Sequence, residues 1–568
     1  MLVSTSLNSI PFLSSSDSTR LQMSAKQLAQ TVTSLGCELP FVIGKDYPYL
    51  SHTCNSFKKI AEGDGEVLYS NKDILVIGFI DDQDISKIET YNIPRYKETA
   101  NMFATTIRNR LYSGSFKKGD VIYEYDSFAD NVPCYGYNTN VIYFPWFGYN
   151  FEDSIVISES LAKRTTSTKL KKINIFIYKN SIYKFIYPNS KYGFLPEIGQ
   201  TINKKIIVSQ INDKSININD YLDNDDVDYS LNSVVCKLEN ATIDNIKIHR
   251  VDGFKFNLLD KKLDECITRM RQDYATKVKQ YSVDMTNSVG ESLTRSILTT
   301  NYIMQSAKAS NISKDELIYV IELDLVKKQS TVVGDKLANR FANKGIVNLI
   351  MPDKLMPVNL NTGERVDIIL GTLGVYSRMN FAQINECIIA KAIQKVQKEI
   401  LNDNSLLKPN LLKLSNLATK LGDDDYAAEI LDLHNNCDSI KNEFINSVKK
   451  NGLYFEAPSF TNVNIKGLKD FVEETFNLTM SDSIKIPKET FEYIKEKLNI
   501  SLPLPTEDLV YPKIFNSSIY MLKLMQLANT KLTARDFGSY SSNRQPSKDK
   551  VGISTGSRLG GINNSVPH

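Results

Sequence analysis

Residues 334–345, GDKLANRFANKG, carry three cations at a regular spacing: Lys336, Arg340 and Lys344. On a helix these positions (i, i+4 and i+8) would form one cationic stripe about 12 Å long, which is an ordinary solvated face. The flanking glycines and the asparagines favour instead a chain that folds back, so that the charges converge. Converging lysine and arginine side chains suit a polyphosphate or a nucleic-acid backbone, whose charge they neutralise. The spacing alone leaves both interpretations open.

Two other segments carry charged residues next to predicted strands. In FPWFGYNFEDSIVISE, residues 144–159, Glu152 and Asp153 stand directly before an apolar run. Adjacent carboxylates at a strand edge can hold a hydrated divalent cation, because Mg²⁺ prefers oxygen ligands and keeps several waters. On its own, such a pair more often forms a turn or a helix cap. In VDIILGTLGVYSRMN, residues 366–380, Arg378 follows a strand punctuated by glycines.

Composition narrows the class of protein. A chain of 568 residues predicts about three to four domains, and 42% hydrophobic with 23% charged residues is ordinary for a globular protein. No apolar run approaches the ~18 residues of a membrane span, and the N-terminus lacks the pattern of a signal peptide. Seven scattered cysteines and only four histidines argue against disulfides, zinc and a His-ligated metal, and for a reducing compartment. The net charge of +3 neither indicates nor excludes nucleic acid.

Hydrophobic patterning predicts mainly strands first and helices later. Apolar runs predict strands at residues 141–144, 155–158, 173–178 and 317–326. The acidic, polar residues 213–228 predict an exposed tip on a projecting module, and residues 258–302 are compatible with a helix. Apolar residues at every fourth position predict a helix that Asn380 could cap and that runs to about Leu401. Helices then dominate residues 400–510.

Taken in order, these segments resemble the C-terminal half of the β subunit of multisubunit, bacterial-type DNA-directed RNA polymerases. The resemblance covers nearly the whole chain in six or more collinear blocks. Besides the segments above, the blocks are SIPFLSSSDSTRLQMSAKQLAQ (9–30), YNIPRYKETANMFATT (91–106), GLYFEAPSFTN (452–462), YMLKL (520–524), KLTARDFGSYS (531–541), RQP (544–546) and GSRLGG (556–561). Each block alone is modest, but chance seldom places so many in one order.

The resemblance implies a two-metal phosphoryl transfer, in which the RNA 3′-hydroxyl attacks the α-phosphate of the incoming nucleotide and pyrophosphate leaves. In this family an aspartate triad of the β′ subunit holds the permanent Mg²⁺. The present sequence has no DFDGD-like run. The resemblance therefore implies that this chain is half of a composite active site and is inactive alone.

The resemblance also implies roles for individual residues. Lys336 and Lys344 match lysines that contact phosphates at the RNA 3′ end and on the incoming nucleotide, and Arg378 and Arg20 match arginines that grip the triphosphate. The remaining matches are Glu152 and Asp153, which face the second, nucleotide-borne Mg²⁺ through water, and Gln30, Lys531 and Arg558, which line the hybrid or template path. Arg340 is grouped with these nucleic-acid-binding residues.

The fold implied is mixed α/β and multidomain: a double-psi β-barrel with an inserted flap-like module, followed by a helical region. The expected order is a hybrid-binding segment (1–60), the first part of the barrel region (61–167), the flap-like insertion (168–257), the second part of the barrel with the phosphate-binding lysines (258–380), the helical region (381–510) and a switch-like segment that contacts hybrid and template (511–568). The flap of this family borders the RNA exit path and docks an initiation factor.

This sequence departs from the family pattern in three ways. Phe341 stands where the family has a histidine, and Tyr376 where it has a proline; neither change removes a catalytic charge. The chain also begins well inside the β subunit and stops just after GSRLGG. The chain is also rich in Asn, Lys and Ile, which fits an AT-rich genome. Together, these features predict a split β subunit of a large-genome (jumbo) bacteriophage, acting in the cytoplasm of the host bacterium. A split organellar gene is the alternative source.

The expected partners are an N-terminal β-like chain, β′-like chains, a possible sigma-like or promoter-specificity factor at the flap, template DNA, nascent RNA and nucleoside triphosphates, with no membrane. Two rival functions stay open: a non-catalytic scaffold or DNA-binding remnant of the polymerase fold, and an independent single-chain polymerase. For the second, Gly422 and the three aspartates after it resemble a viral Gly-Asp-Asp turn. The neighbouring residues are predicted as a helix, so we interpret this run as an acidic helix cap.

Overall fold

The structure is a computed structural model. It describes residues 5–45, 47–48, 58–70, 74–81, 84–93, 95–99, 103–129, 132–178, 182–185, 196, 198–202, 206–211, 234–235, 240–250, 261, 265, 268–269, 272, 304–305, 317–461, 463–498 and 504–528. The predicted acidic tip and most of the helix-compatible stretch at 258–302 lie outside the described residues. So do Lys531 and Arg558.

The helices with bounds in these ranges are concentrated in the C-terminal half. They are α1 Thr5–Asn8, α2 Ser18–Ala29, α3 Glu159–Arg164, α4 Leu373–Arg378, α5 Ala382–Asn402, α6 Leu407–Lys420, α7 Asp424–Asn435, α8 Cys437–Asn451, α9 Ile465–Phe476 and α10 Lys488–Leu498, with 3₁₀ turns at Leu13–Ser15, Asp353–Leu355 and Asn404–Leu406. No helix of the described residues is long and apolar enough to cross a membrane.

Among the described residues, strands outnumber helices in the N-terminal half, and they recur toward the C-terminus. They are β1 Val42–Gly44, β2 Lys58–Ile60, β3 Gly65–Ser70, β4 Ile74–Asp81, β5 Asp84–Asn92, β6 Tyr96–Glu98, β7 Phe103–Asn109, β8 Ser115–Phe116, β9 Val121–Tyr125, β10 Phe128–Ala129, β11 Val132–Pro133, β12 Gly136–Tyr143, β13 Ser154–Ser158, β14 Ser167–Tyr178, β15 Ile182–Phe185, β16 Thr201–Ile202, β17 Ile206–Ile211, β18 Val234–Val235, β19 Ala241–Arg250, β20 Met304–Gln305, β21 Leu317–Gln329, β22 Lys336–Asn339, β23 Lys344–Met351, β24 Val358–Asn359, β25 Ile368–Leu370, β26 Phe455–Ala457, β27 Ser481–Ile486 and β28 Leu509–Lys523. The four predicted strands are confirmed as parts of β12, β13, β14 and β21, and the mixed α/β, multidomain class is confirmed.

Six of these strands close into a ring. β12 pairs in parallel with β25, β25 antiparallel with β13, and β13 in parallel with β23. β23 pairs antiparallel with β22, β22 with β28, and β28 returns antiparallel to β12, so that Gly136 faces Leu522. β27 and β24 extend the sheet beyond β28. The ring is therefore a small closed barrel that joins distant parts of the chain.

Apolar side chains from all six strands form one buried cluster. Its members on the ring are Val141, Ile155, Ile157, Leu337, Val347, Ile368, Leu370, Ile519 and Met521. Because the interior is the surface that all six strands share, this cluster fills the ring. Successive side chains of a strand alternate between its two faces. Lys336, next to the inward Leu337, therefore points to the outside of the barrel.

A long antiparallel ladder leads away from the ring. β14 and β21 pair from Ser167 opposite Gln329 to Tyr178 opposite Leu317. They belong to a larger sheet with the strand order β16-β19-β21-β14-β7-β9-β2, while β5-β4-β3-β8 and β15-β17-β18 form smaller sheets. β14 begins just after α3, and β21 ends just before β22; we call these two paired strands the stem.

The helical region packs on one side of the barrel through α5. The predicted helix to about residue 401 is confirmed, but the predicted cap is wrong. Phe381 occupies the N-cap position, and the amide of Asn380 donates a hydrogen bond to the carbonyl of Phe341 at 2.8 Å. Apolar residues of α5, α6 and α9 share a core with Ile10, Phe12 and Phe341. The N-terminal segment is thereby fixed against both α5 and the hairpin of β22 and β23.

The acidic run after Gly422 caps α7, as the sequence predicts. Asp423 accepts a hydrogen bond from the backbone N–H of Tyr426 at 3.2 Å, and Asp424 and Asp425 lie in the first turn. Carboxylates there complement the positive end of the helix dipole. Asp423 is also buried and paired with Lys45 at 2.7 Å. The run is structural and plays no part in the site below.

A buried lysine lies where the stem joins the barrel. Lys523, at the end of β28, donates to the carbonyls of Thr165 at 3.0 Å and Gln329 at 3.4 Å, and its ammonium lies 4.0 Å from the carboxylate of Asp335. Burial lowers the pKa of Lys523 to about 8; the Asp335 charge opposes this change and the Lys169 charge adds to it. The lysine thus ties the segment before β14 and the end of β21 to Asp335, the residue that precedes Lys336.

We expect the stability of the wild type relative to Lys523→Met to depend on pH. Between the folded pKa of about 8 and the usual 10.5, the unfolded lysine holds a proton that the folded one has lost. The wild type should therefore gain stability as the pH rises through this window, by about 3 kcal/mol at most. Denaturant unfolding of both proteins from about pH 7 to about pH 10 measures this gain. A difference between the two proteins that stays constant with pH would contradict it.

Candidate nucleotide-phosphate site

The hairpin of β22 and β23 brings the two predicted lysines to one face. Leu337 stands opposite Gly345 and Ala338 opposite Lys344, so Lys336 and Lys344 are diagonal neighbours on the outer surface of the barrel. Diagonal pairs of this kind lie about 7–8 Å apart. Lys344 is exposed and Lys336 is half-buried. The folded-back chain is confirmed, and the helical stripe is wrong for this segment.

The hairpin is held tightly around its tip. At its tip, the Oδ1 of Asn339 accepts hydrogen bonds from the backbone N–H groups of Phe341 and Asn343, both at 3.0 Å. At the start of β23, just after the tip, a Cβ on Gly345 would overlap the side chain of Ile155 on β13. Glycine therefore lets β23 approach β13 closely at the position next to Lys344.

We call the outer surface of the hairpin that carries Lys336 and Lys344 the lysine face. Arg340, the third cation of the segment, lies in the core and not on this face. Its guanidinium pairs with Glu386 at 2.9 Å and donates to the carbonyls of Ser9 at 3.1 Å and Val42 at 2.6 Å. It also stacks over the ring of Tyr520, 5.2 Å from the centroid. Burial raises the pKa of Glu386, and the Arg340 charge opposes that change. The prediction that Arg340 contacts nucleic acid is corrected: a buried, paired guanidinium is not available to phosphate.

Arg378 and the acidic pair meet beside the hairpin. A guanidinium N–H of Arg378 donates to Asp153, and a second lies 3.5 Å from the Oδ1 of Asn343, next to Lys344. The backbone carbonyl of Asp153 accepts from the N–H of Ile346 at 2.7 Å. Glu152, exposed and with a left-handed φ of 51°, forms the turn before β13. The structure thus places Lys344, Arg378, Glu152 and Asp153 in one neighbourhood.

This neighbourhood provides few oxygen ligands for a cation. Glu152 and Asp153 are its two carboxylates, and Asp153 is already paired with Arg378. Among the described residues, no group of three or more His, Cys, Asp or Glu is arranged to hold a metal ion. Two adjacent carboxylates fit a Mg²⁺ that keeps most of its waters. They do not provide a complete binding site for a tightly held ion.

Arg20 lies on α2, and Gln30 directly follows this helix. Asp17 caps the helix by accepting from the N–H of Thr19 at 3.0 Å. The carbonyl of Gln30 accepts from Met525 at 3.0 Å, and the preceding Leu524 donates to the carbonyl of Lys336 at 3.0 Å. Gln30 is therefore close to the first lysine strand. Arg20 lies ten residues earlier, about 15 Å along the helix axis.

Large apolar side chains are exposed in the same segments. Leu373 on α4 is 71% exposed, and Tyr376 and Met379, three and six residues further on, are also exposed. Phe151, next to the acidic pair, and Ile346, two residues after Lys344, add to this surface. Exposed apolar side chains grouped beside charged residues are typical of a protein–protein interface. We call these five residues the apolar rim.

Residues 74–551 match the family described as RNA polymerase Rpb2, domain 6. The chain belongs to this family. It is similar to DNA-directed RNA polymerase β subunits of Lawsonia intracellularis (24% identity over 669 aligned positions, 98% of this chain and 46% of that protein) and Mycoplasmopsis synoviae (26% over 404, 70% and 30%). The β subunit of Streptococcus thermophilus is 27% identical over 389 positions, 68% of this chain and 29% of that protein. The chain spans less than half the length of these curated relatives.

Sequence reasoning missed two polar residues of this Rpb2-family chain. The Oε1 of Gln383 on α5 accepts from the amides of Asn339 at 2.9 Å and Asn343 at 3.3 Å, linking the hairpin tip to the helix. Asn343 in turn contacts Arg378. An asparagine between two cations in a predicted turn was a usable signal for Asn343. Gln383 had none, because its role depends on packing across the fold.

Proposed function

We propose that this chain is the C-terminal part of a split β-like subunit in a multisubunit DNA-dependent RNA polymerase, a nucleotidyltransferase. The observation that carries the proposal is the hairpin that presents Lys336 and Lys344 on one outer face of a closed barrel, with Arg378 beside its tip. Rigid cations that converge on one place complement the negative charge of a nucleoside triphosphate. Membership of the Rpb2 family supports the same assignment.

In the proposed reaction, this chain supplies fixed positive charge to phosphates. Lys344 and Lys336 neutralise the RNA 3′ end and the incoming nucleotide, while Arg378 and Arg20 grip the triphosphate. Because the lysines stand on a hydrogen-bonded hairpin, their charge is already in place as negative charge develops on the departing pyrophosphate. When bound, Mg²⁺ supplies Lewis-acid activation of the reacting oxygens. Glu152 and Asp153 would form the acidic side of the site and would face the Mg²⁺ carried by the nucleotide, with water between them and the ion.

The proposed site is composite, with the Mg²⁺ held mainly by a β′-like chain. Two features support this: the described residues of the neighbourhood include just two carboxylates, and the apolar rim around them is exposed. An N-terminal β-like chain would complete the subunit, and Gln30, Lys531 and Arg558 would line the hybrid or template path. In the cell, such a complex would act on phage DNA in the cytoplasm of the host bacterium.

We further infer that the six-strand ring is the double-psi β-barrel of this family, split by a flap-like module on the stem of β14 and β21. The mixture of parallel and antiparallel pairs in one closed ring supports this interpretation. The proposed domain order is the one given by the resemblance, with the flap-like insertion at 168–257. The module would border the RNA path and receive a promoter-specificity factor.

Reconstitution from separately purified chains tests the proposed function. RNA synthesis on a DNA template should require this chain together with its β-like and β′-like partners, and mass spectrometry of the purified complex should find all of them. Template-directed RNA synthesis by this chain in isolation would contradict the composite site. So would undiminished synthesis by the partners without it.

We expect Leu373→Ser to weaken assembly with the β′-like partner by at least about tenfold, because exposed apolar anchors carry much of the binding energy of an interface. Leu412→Ser is a matched control, since Leu412 is 44% exposed but lies on α6, outside the apolar rim. Titration of labelled partner measures both dissociation constants. Equal affinities for the two variants would show that the rim is not the contact surface.

A further inference from the structure

The ion pair between Asp153 and Arg378 suggests a specific task for one member of the acidic pair. Arg378 ends the short helix α4, and the next residue, Met379, takes a left-handed φ of 52° that ends the helix there. The backbone therefore fixes where the arginine starts, and Asp153 sets where its guanidinium points. The side chain of Arg378 is 21% exposed and that of Asp153 is 44% exposed.

Asp153 is itself rigidly placed. Its carbonyl accepts from Ile346 on β23 at 2.7 Å, and the next residue, Ser154, begins β13. A Cβ on Gly371, just before α4, would lie 2.8 Å from the carbonyl of Asn150, so the segment carrying Arg378 packs directly against the acidic turn. Two barrel strands and the start of α4 thus hold both partners of the ion pair.

The remaining hydrogen-bonding capacity of Arg378 is large. A guanidinium has five N–H groups, and Asp153 and Asn343 each receive one. The remaining N–H groups can bind a phosphate in the two-pronged geometry that suits arginine. A carboxylate already bound to a guanidinium is a poor ligand for a second cation, because the two cations repel each other. The neighbouring Glu152 is exposed, and no cation of the described residues forms an ion pair with it.

We propose that Asp153 is a positioning residue for Arg378: it orients the guanidinium so that the remaining N–H groups face the triphosphate of the nucleotide. In this arrangement Glu152, and not Asp153, is the carboxylate that faces the Mg²⁺. This inference rests on the proposed function and changes the role of one residue within it. The two roles predict different behaviour. A positioning residue needs a hydrogen-bond acceptor, whereas a metal-facing residue needs negative charge.

The test compares Asp153→Ala with Asp153→Asn in the reconstituted polymerase, stalled on an RNA that ends in a 3′-deoxynucleotide. Equilibrium binding of the next cognate nucleoside triphosphate is measured across a Mg²⁺ titration. Asp153→Ala should raise the dissociation constant about three- to tenfold, since one hydrogen bond to a charged group is lost. Asp153→Asn keeps the acceptor and should stay within about twofold of the wild type. Neither variant should change the Mg²⁺ concentration for half-maximal binding.

A double-mutant cycle with Arg378→Ala completes the test. If Asp153 acts through Arg378, adding Asp153→Ala to Arg378→Ala should weaken binding no further. Additive losses, or a raised Mg²⁺ requirement in Asp153→Asn, would overturn the inference and leave the proposed function standing. If Arg378→Ala itself binds the nucleotide like the wild type, the proposed role of Arg378 fails and this inference fails with it.

Discussion

Lys344→Ala should slow nucleotide addition by about 10²–10³-fold in the reconstituted polymerase, the usual cost of removing a preorganised charge that stabilises a transition state. Lys344 is exposed at the start of β23, on the outer face of the hairpin, so its loss leaves the barrel interior unchanged. Single-turnover extension of RNA by one nucleotide measures the effect. Co-purification of the partner chains should be unchanged.

Lys450→Ala provides the matched control for Lys344→Ala. Lys450 is also exposed, but it lies near the end of α8 in the helical region. This control variant should extend RNA at the wild-type rate. If Lys344→Ala also elongates like the wild type while the complex assembles, the chain would be a scaffold, and the assignment of the lysine face to phosphates would be wrong.

Arg340→Met should destabilise the chain by about 3–5 kcal/mol, the usual cost of breaking a buried ion pair from one side. The substitution leaves Glu386 buried without its partner and removes the hydrogen bonds that attach the hairpin tip to Ser9 and Val42. Thermal and denaturant unfolding of the full chain measure the loss. Limited proteolysis should then cleave the N-terminal segment sooner than in the wild type.

The double variant Arg340→Met/Glu386→Met separates the ion pair from the other contacts. Because both charges are removed, it should recover part of the stability lost in Arg340→Met. A single variant as stable as the wild type would show that Arg340 does not hold the hairpin to the N-terminal segment. If the stability losses of the two single substitutions simply add in the double variant, the ion pair with Glu386 is not the cause of the destabilisation in Arg340→Met.

Arg340 illustrates where sequence reasoning stops. In the sequence, Lys336, Arg340 and Lys344 are evenly spaced, so nothing local distinguishes Arg340 from the two lysines. Only the antiparallel register shows that Arg340 lies at the hairpin tip, which faces the core. Its partners Ser9, Val42 and Glu386 lie 331, 298 and 46 positions away in the sequence. Local pattern carries no information about contacts at such separations.

Local elements could be predicted because their causes are local. The strands at 141–144 and 155–158 and the helix from 382 to 402 follow from runs and periods of apolar residues. The fold-back at the hairpin follows from turn-forming asparagines and glycines. The ring could not be predicted in this way, because its closure depends on β12 pairing with β28, which lies more than 350 residues later. The Asp153–Arg378 pair likewise joins residues 225 positions apart.

Affinity labelling of the intact polymerase tests the central claim most directly. A nucleoside triphosphate with an aldehyde on its terminal phosphate forms an imine with a nearby lysine, which borohydride reduces to a stable amine that mass spectrometry can locate. We predict labelling of Lys344 or Lys336 that requires the β′-like partner, template and Mg²⁺ and that the cognate nucleotide suppresses. Suppressible labelling confined to lysines far from this hairpin would contradict the claim that these lysines bind the nucleotide's phosphates.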